Sequence, residues 1–238
     1  MKVYHFNQQG LRPKQEDSLF ISNDQSLFVV CDGVGGSNSG AIASQMITDS
    51  ISGNYATTNT NPIDQIKSLI LRANKDLQDK CQTIAINNTS TTIALLLLNN
   101  KDAYITHIGD SKIFYISKSK REWWVSKDHS FVQELFEAGI LESEYEMKVH
   151  PLRSRITQAI SNDLPITADN IRIHHIADIC LDDIFILCTD GVMEKITSED
   201  MISLFTDLKK DVKNAYDYLK KSCHETSKDN NTAIVIEL

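Results

Sequence analysis

Two short stretches of the sequence place an Asp-Gly pair directly after an apolar run. Residues 28–36 read FVVCDGVGG, with the pair at Asp32 and Gly33, and residues 185–194 read FILCTDGVME, with the pair at Asp190 and Gly191. Asp-Gly is a strong hairpin-turn signal, because both residues tolerate a positive φ. The repetition of the pattern raises a second interpretation, in which both carboxylates are held at one place to bind a metal ion.

Further polar residues stand at the edges of strand-like segments; they are Glu16, Asp17, Asp110, Asp229 and Asn230. Each alone is explained as an ordinary turn residue. As a set, the carboxylates would repel one another at the end of a sheet unless a cation neutralised them. Mg²⁺ and Mn²⁺ prefer carboxylate, carbonyl and water oxygens, and Gly33 would expose its carbonyl to such an ion. The seven histidines are scattered without zinc spacing, so a hard divalent ion is the better expectation.

The overall composition is that of an ordinary globular chain with excess negative charge. The 238 residues carry a formal net charge of -8, which argues against a nucleic-acid partner. Five cysteines without a CxxC pair indicate free thiols in a reducing compartment. The first residues contain no signal-peptide core, and the longest apolar stretch, IALLLL at 93–98, is too short to span a bilayer. We therefore expect a cytoplasmic protein without a membrane partner.

Strand signals come in three groups, and most helix signals come in pairs. DSLFIS at 17–22 and SLFVVC at 26–31 predict a hairpin, and four apolar segments between 91 and 126 predict an antiparallel meander. Later strands are predicted at IRIHHI, DDIFILC and NNTAIVIEL. Helices are predicted over residues 39–52, 62–81, 131–140, 198–208 and 211–225, of which the first two and the last two form the pairs.

This order of elements differs from the strand–helix alternation of a parallel sheet. It predicts an α+β chain in which antiparallel sheets carry paired helices on their outer faces. No break in composition divides the chain, so residues 1–238 are expected to form a single domain. Residues 142–170 are polar, contain Pro151 and Pro165, and are expected to form loops and a mobile flap.

Eight short motifs follow one another along the chain. They are RPKQED at 12–17, VVCDGVGG at 29–36, TTIALL at 91–96, THIGDSKIFYI at 106–116, SKDHSFVQELFEAGIL at 126–141, HPLRSRIT at 150–157, ILCTDGV at 186–192 and DNNTAIVI at 229–236. In this order they resemble the PP2C family of metal-dependent protein serine/threonine phosphatases, especially its compact bacterial members. The resemblance implies a four-layer αββα sandwich, with two antiparallel β-sheets face to face, helix pairs outside and metal ions at one end of the sheets.

The resemblance also implies which residues hold the metal ions. Asp32 would bridge two ions, and Gly33 would add its carbonyl oxygen. Asp190 and Asp229 would complete the coordination of the first ion, while Glu16 would bind the second ion directly or through water.

Other positions match supporting and substrate-binding residues of the family. Asp110 resembles the residue that, together with Asp190, holds a third and weaker ion in bacterial members. Asp17 and Asn230 resemble residues that support the ligands, and Arg12 matches the arginine that grips the substrate phosphate.

The implied cofactors are two Mn²⁺ or Mg²⁺ ions at the core site, with a place for a third. Two ions about 3.5–4 Å apart, bridged by a carboxylate and a water, would lower the pKa of that water and aim it for in-line attack. The implied reaction is direct hydrolysis of phosphoserine or phosphothreonine without a phosphoenzyme. Arg12 would match two phosphate oxygens with its planar fork. The implied partners are phosphorylated proteins, the targets of a Ser/Thr kinase, and we expect a monomer.

The sequence departs from the family pattern at three places. Relatives often carry a histidine just after the Asp-Gly pair that is thought to protonate the leaving group, whereas this chain has Val34 and then Ser37. General acid catalysis is typically worth ~10²–10⁴-fold, so slow turnover is expected unless another group substitutes. The family's Gly-Asp-Ser-Arg ends in Lys112, and the usual Ala-Leu-Gly reads Ala-Ile-Ser at 159–161. None of these changes removes a proposed metal ligand.

Two other functions remain open. A metal-binding pseudophosphatase or phosphoprotein sensor without significant turnover would fit the absent histidine, although the complete ligand set and Arg12 favour an enzyme. A metal-dependent nuclease would also use clustered carboxylates, but the net charge of -8 and the absence of a basic stretch argue against it.

Overall fold

The computed structural model describes residues 1–34, 39–57, 60–194, 196–207 and 211–238. The strands are β1 (Lys2–Gln8), β2 (Asp17–Ile21), β3 (Leu27–Val34), β4 (Ser90–Thr91), β5 (Ile93–Asn99), β6 (Asp102–Ile108), β7 (Lys112–Ser117), β8 (Glu122–Val125), β9 (Ile160–Ser161), β10 (His174–Ile176), β11 (Asp183–Cys188) and β12 (Asn231–Glu237). The helices are α1 (Ser39–Asn54), α2 (Pro62–Ile84), α3 (Phe131–Glu137), α4 (Glu144–Val149), α5 (Asp190–Met193), α6 (Ser198–Thr206) and α7 (Val212–Thr226), with a 3₁₀ helix at Ala168–Asn170.

The described strands form two antiparallel sheets. The first sheet has the order β1-β12-β11-β7-β8. The second has the order β10-β6-β5-β3-β4-β9, and β2 pairs with β3 beside this path. Both helix pairs predicted from the apolar periodicity are confirmed, and no described helix is both long and apolar enough to cross a membrane.

Three apolar cores separate four layers. One core packs α1 and α2 against the second sheet, through residues such as Ile47, Ile70 and Val29. Another packs α6 and α7 against the first sheet. The third lies between the two sheets and includes Phe28 and Phe185. The predicted αββα sandwich is therefore confirmed.

Strand β3 shows how the sequence builds these layers. Its side chains alternate between the two faces of the sheet, with Val29 and Cys31 in the helix-side core and Phe28 and Val30 in the core between the sheets. Because both faces are buried, the strand is apolar at consecutive positions. The same alternation places Asp32, at the end of the strand, on the face that looks toward the other sheet.

The predicted hairpin is confirmed, but the predicted meander is wrong. Strands β5 and β6 pair within the second sheet, whereas β7 and β8 pair within the first. The chain crosses between the sheets at the turn that contains Gly109, whose φ is 107°, and Asp110. Apolar patterning could not reveal this crossing, because strands of both sheets are buried on two faces. The segment 142–170, predicted as loops, contains α4, β9 and the 3₁₀ helix.

Candidate metal centre

Two acidic residues face each other where β2 begins and β3 ends. Asp17 is the direct cross-strand partner of Asp32, so both side chains leave the sheet on the same face. Glu16 stands one residue earlier, and its carbonyl accepts a hydrogen bond of 3.1 Å from the Gly33 amide. The end of this hairpin therefore brings together three of the predicted site residues and the Gly33 backbone.

Threonines of the neighbouring strand hold the Asp32 backbone in place. The Asp32 amide donates to Thr92 Oγ1 at 2.9 Å, and Thr91 Oγ1 donates to the Asp32 carbonyl at 2.7 Å. The Thr92 amide donates to the same carbonyl at 2.9 Å. These bonds use the backbone groups of Asp32 and leave its carboxyl group to face the core between the sheets.

The second Asp-Gly pair arrives from the other sheet. Strand β11 ends at Cys188, and Asp190 is the first residue of α5. Thr189, between them, donates from its hydroxyl to Asp17 Oδ2 at 2.9 Å and so joins the two sheets. The carboxyl groups of Asp190 and Asp32 lie within hydrogen-bonding reach of each other.

Asp229 enters the same region from the segment before β12, where Arg12 holds it. Arg12 Nε donates to Asp229 Oδ1 at 2.7 Å, and Arg12 Nη2 donates to Asp229 Oδ2 at 2.6 Å. Two parallel bonds of this kind match the fork of the guanidinium to a carboxylate. The pKa of Arg12 is raised, chiefly by this bond to Asp229. The predicted phosphate-binding residue and a predicted metal ligand are thus paired with each other.

Asn230 fastens the loop that carries Arg12. Its Nδ2 donates to the carbonyls of Gln9 and Lys14 at 2.7 and 2.8 Å, and its Oδ1 accepts from the Glu16 amide at 2.8 Å. Both donors on Nδ2 and the acceptor Oδ1 of this buried side chain are therefore engaged. These bonds tie the segment before β12 to the loop that carries Arg12.

Both Asp-Gly glycines are explained by close backbone approach. Neither is a hairpin turn: Gly33 lies within β3 and Gly191 within α5, and neither has a positive φ. A Cβ atom on Gly33 would overlap the carbonyl of Gly40 in α1 and would lie 2.7 Å from the Glu16 carbonyl oxygen. A Cβ atom on Gly191 would overlap the carbonyl of Asn230. The glycines are needed so that the chain segments bearing the carboxylates can touch.

Asp110 occupies the turn where the chain crosses from one sheet to the other. It lies close enough to Asp190 and Asp128 that both carboxylates add to the rise in its pKa. Lys112, which replaces the family's arginine, forms an ion pair with Asp128 in a largely buried contact. The substitution therefore keeps a cation at this position.

His129 supports the backbone of the same turn. The Gly109 amide donates to His129 Nδ1 at 3.2 Å, and the His129 amide donates to the Gly109 carbonyl at 2.9 Å. The ring also stacks on His107, with centroids 4.6 Å apart. Burial first, and then His107, lower the pKa of His129 to about 4. The ring is therefore neutral near pH 7 and holds the turn through an unprotonated nitrogen.

Burial and mutual repulsion raise the pKa values of four carboxyl groups at this end of the sandwich. Burial, and then Asp17 and Asp190, raise the pKa of Asp32 well above its ordinary value. Burial raises the pKa of Asp17 and of Asp110 to about 7 in each case, with Asp190 contributing to both shifts. Burial, and then Asp229, raise the pKa of Asp190 to about 6. Such a cluster favours binding of either protons or a cation.

The donor set fits divalent metal ions. The expected ligands are carboxylates and a glycine carbonyl, which are the oxygen donors that hard ions prefer. Asp17 Oδ1 is buried and has no hydrogen-bond partner among the described residues. A buried carboxylate oxygen left in this way is costly unless a proton, a cation or a metal-bound water satisfies it.

For Asp229 to bind an ion together with Asp32 and Asp190, its side chain would have to turn away from Arg12. Within the described part of the chain, the group whose three ligand atoms all lie within 4.8 Å of one another is Cys180, Asp182 and Asp183, beside the start of β11. Asp32, Asp190 and Asp229 do not form such a compact group. Asp229 is instead drawn to Arg12.

The sequence did not single out the hydroxyl groups that organise the site. Thr91, Thr92 and Thr189 were read only as parts of motifs or strands, yet they position Asp32 and Asp17. Ser227 was missed as well: its hydroxyl lies within hydrogen-bonding distance of Gly191 O, Asp229 O and Glu194 Oε2, at 3.2, 2.9 and 3.3 Å. Threonine and serine are common in strands and turns, so no spacing signal marked them. Ser37 lies outside the described residues, and Val34 ends β3.

Comparison with known proteins gives consistent matches over most of the chain. A family model described as protein phosphatase 2C matches residues 9–225. A putative protein phosphatase 2C-type of Streptococcus pyogenes is 28% identical over 184 residues, which cover 75% of this chain and 72% of that protein.

Solved structures give the same fold. The serine/threonine phosphatase PstP/Ppp of Mycobacterium tuberculosis is 21% identical, with a TM-score of 0.86 and coverage of 100% of this chain and 98% of that chain. The catalytic domain of a serine threonine protein phosphatase PstP, solved in complex with two manganese ions, is 19% identical, with a TM-score of 0.80 and coverage of 98% and 96%. At these identities the two structures establish the architecture.

Proposed function

Since the chain belongs to the protein phosphatase 2C family and is a metal-dependent protein serine/threonine phosphatase, we propose that its catalytic centre is the carboxylate cluster at the ends of β2, β3 and β11. The observation that carries this assignment is the convergence of two sheets on one point. Asp17 faces Asp32 across a strand pair, and Asp32 lies within hydrogen-bonding reach of Asp190 from the opposite sheet.

We assign the metal-holding groups as follows. Asp32 would hold both ions, and the Gly33 carbonyl would add a further ligand. Asp190 and Asp229 would hold the first ion, and Glu16 would hold the second directly or through water. The positions of Asp190 and Asp229 support this division, because the Gly191–Asn230 contact joins their backbones.

Further residues extend and support the centre. Asp110 would share a third ion with Asp190, and the contribution of Asp190 to the raised pKa of Asp110 supports this assignment. Asp17 would support the centre through its buried Oδ1, which has no hydrogen-bond partner in the described part of the chain, and Asn230 would support it through the loop that carries Arg12.

The chemistry combines a metal-activated nucleophile with charge neutralisation by the protein. Two divalent ions bound at such a centre supply a water of lowered pKa and neutralise charge on the phosphoryl oxygens. Arg12 would contribute a planar cation that orients the phosphate, and positioning of this kind supplies much of the barrier reduction in phosphoryl transfer. Asp32 needs its backbone bonds to Thr91 and Thr92 because its carboxyl group must keep one orientation while both ions depend on it.

Phosphorylated proteins are the substrates, and we propose that they are targets of a Ser/Thr kinase. We further propose that the protein is a monomer and that it is cytoplasmic. The reducing compartment is supported by five free cysteines, of which Cys31, Cys81, Cys188 and Cys223 are buried. The proposal treats residues 1–238 as one phosphatase domain with a flap at about 142–170. The exposed Tyr145, Val149 and Leu152 support a substrate-facing role for this flap.

The proposed function is tested by hydrolysis of a phosphothreonine peptide with Mn²⁺, with Mg²⁺ and with EDTA. The expected result is phosphate release that requires the divalent ion and is lost in Asp32→Asn. The variant Asp49→Asn, which changes an exposed aspartate in α1, should retain full activity. Metal binding without phosphate release from any phosphopeptide would instead indicate the phosphoprotein sensor.

A further inference from the structure

The Arg12–Asp229 pair joins two residues whose proposed roles need different partners. Both oxygens of the Asp229 carboxylate accept hydrogen bonds from the guanidinium, and Oδ1 also accepts from the Asn230 amide at 2.9 Å. A metal ion at Asp229 needs at least one of these oxygens turned toward Asp190 and Asp32. The Nε and Nη2 edge of Arg12, which could bind two oxygens of the substrate phosphate, is occupied by Asp229.

The surroundings hold this pair in place. The loop that carries Arg12 is fastened by Asn230 through the carbonyls of Gln9 and Lys14. Gly10, with a φ of 61°, packs on the Asp229 backbone so closely that a Cβ atom would overlap the Asp229 carbonyl oxygen. Arg12 therefore stays beside Asp229, and the exchange of partners requires only side-chain rotation.

The arrangement of the other carboxylates agrees with this conclusion. Asp32 and Asp190 lie near enough to interact electrostatically, yet Asp229 does not complete a compact ligand group with them in the described structure. Arg12 Nη2 lies 2.6 Å from Asp229 Oδ2. The side chain of Arg12 is 53% exposed, so solvent screens the pair and rotation away from it is inexpensive.

Building on the proposed function, we propose that Arg12 and the divalent ion compete for Asp229, so that metal binding releases Arg12 to bind the substrate phosphate. Arg12 thereby acts as an internal counter-ion that lowers metal affinity in the absence of substrate. Because coupling between two binding sites is reciprocal, phosphate that engages Arg12 strengthens metal binding at Asp229 by the same factor.

Binding of Mn²⁺ measured by calorimetry, without any turnover, tests this proposal. Arg12→Met should tighten Mn²⁺ binding by about five- to tenfold, which is the lower range of couplings between sites. Arg12→Lys keeps the charge but not the two-pronged contact, so it should fall between the wild type and Arg12→Met. Arg72→Met is the matched control, because it removes an exposed arginine–aspartate pair on α2 with Asp76, and it should bind Mn²⁺ like the wild type.

Inorganic phosphate adds a second readout. It should tighten Mn²⁺ binding to the wild type more than it tightens binding to Arg12→Met. The Arg12 Nε–H signal in a proton–nitrogen NMR spectrum should shift when diamagnetic Mg²⁺ is added. This measurement is made on the wild-type protein.

The possible results distinguish failure of the proposed competition between Arg12 and the metal ion from failure of the proposed metal centre. Unchanged or weaker Mn²⁺ binding in Arg12→Met, or an Nε–H signal that ignores Mg²⁺, would overturn the competition and leave the metal centre intact. Equal affinity of Arg12→Lys and the wild type would assign the effect to charge alone and would also overturn the proposed exchange. Absence of any Mn²⁺ or Mg²⁺ binding to the wild type would remove the proposed centre itself.

Discussion

Gly191 lies against the main-chain carbonyl of Asn230 so closely that a Cβ atom would overlap the carbonyl oxygen. This contact joins the segment of Asp190, which follows β11, to the segment of Asp229, which precedes the neighbouring strand β12. The relative position of Asp190 and Asp229, two proposed ligands of one ion, therefore depends on the absence of a side chain at Gly191.

Replacement of this glycine should separate the two ligands. Gly191→Ala is expected to lower the free energy of unfolding by about 1–3 kcal/mol, the usual cost of overpacking, and to weaken Mn²⁺ binding. Gly53→Ala is the control, because Gly53 lies in α1 and a Cβ atom added there would have no neighbouring atom within 4 Å. It should leave Mn²⁺ binding unchanged and raise stability by up to about 1 kcal/mol through helix propensity. Chemical denaturation and calorimetry give both quantities, and equal behaviour of the two variants would contradict the packing argument.

The carboxylate cluster should make the metal-free protein less stable as the pH rises. The pKa of Asp190 is raised to about 6, and those of Asp17 and Asp110 to about 7, so the folded protein retains protons that the unfolded chain has already lost. Stability from such groups is complete at low pH and is lost as the pH rises through the folded values. In EDTA, the free energy of unfolding should fall by about 1–3 kcal/mol between pH 6 and pH 8.

Saturating Mn²⁺ should reverse this trend, because the ion binds the deprotonated carboxylates. Denaturation curves across the pH series measure both slopes. Asp32→Asn should flatten the slope in EDTA, whereas Asp49→Asn should not. His129, whose pKa is lowered to about 4, opposes this trend only below about pH 7, because above that pH the imidazole is neutral in the unfolded chain as well. A metal-free protein whose stability is constant from pH 6 to pH 8 would show that the cluster carries no shifted protons.

Replacement of Asn230 by aspartate, which has nearly the same shape, should lower both stability and substrate binding. In Asn230→Asp the two donors to Gln9 O and Lys14 O are lost, and a carboxylate would face two carbonyl oxygens. We expect a loss of about 1–3 kcal/mol in the free energy of unfolding. The Michaelis constant for phosphopeptides should rise because the Arg12 loop is no longer fastened. The control Asn100→Asp changes an exposed turn residue with a φ of 57°, which aspartate also tolerates, and should affect neither quantity.

The absence of a histidine after the first Asp-Gly pair should appear in the leaving-group dependence. Val34 is 37% exposed at the end of β3, next to the proposed centre. Val34→His should accelerate hydrolysis of alkyl phosphates such as phosphothreonine by about tenfold or more, towards the range of general acid catalysis. It should change p-nitrophenyl phosphate hydrolysis little, because that leaving group needs no proton. Val34→Gln controls for polarity, and a similar gain in both variants would argue against an acid role.

Local patterning predicted most of the elements, because apolar periodicity and turn residues act over a few positions. The hairpin of β2 and β3 and the pairs α1–α2 and α6–α7 are of this kind. The crossing of the chain between sheets at Gly109 was not predictable from periodicity. Both sheets bury both faces of their central strands, so the pattern of β6 and β7 is the same whichever sheet each joins.

The composition of the candidate site was predictable from the sequence, but its contacts were not. Arg12 and Asp229 were both expected at the centre on the basis of family motifs, yet their pairing joins residues 217 positions apart and has no sequence signature. The role of Gly33 and Gly191 as points of backbone contact was hidden for the same reason. Asp-Gly also serves turns, and only the packing of α1 and of Asn230 against these glycines distinguishes the two uses.

The most direct test of the metal centre is anomalous scattering from a crystal soaked in Mn²⁺. We predict two manganese peaks at the ends of β2, β3 and β11, with the Asp32 carboxylate between them and Asp229 turned away from Arg12 towards one of them. Crystals without manganese at this end of the sandwich, or with manganese bound only beside Cys180, Asp182 and Asp183, would contradict the proposed centre.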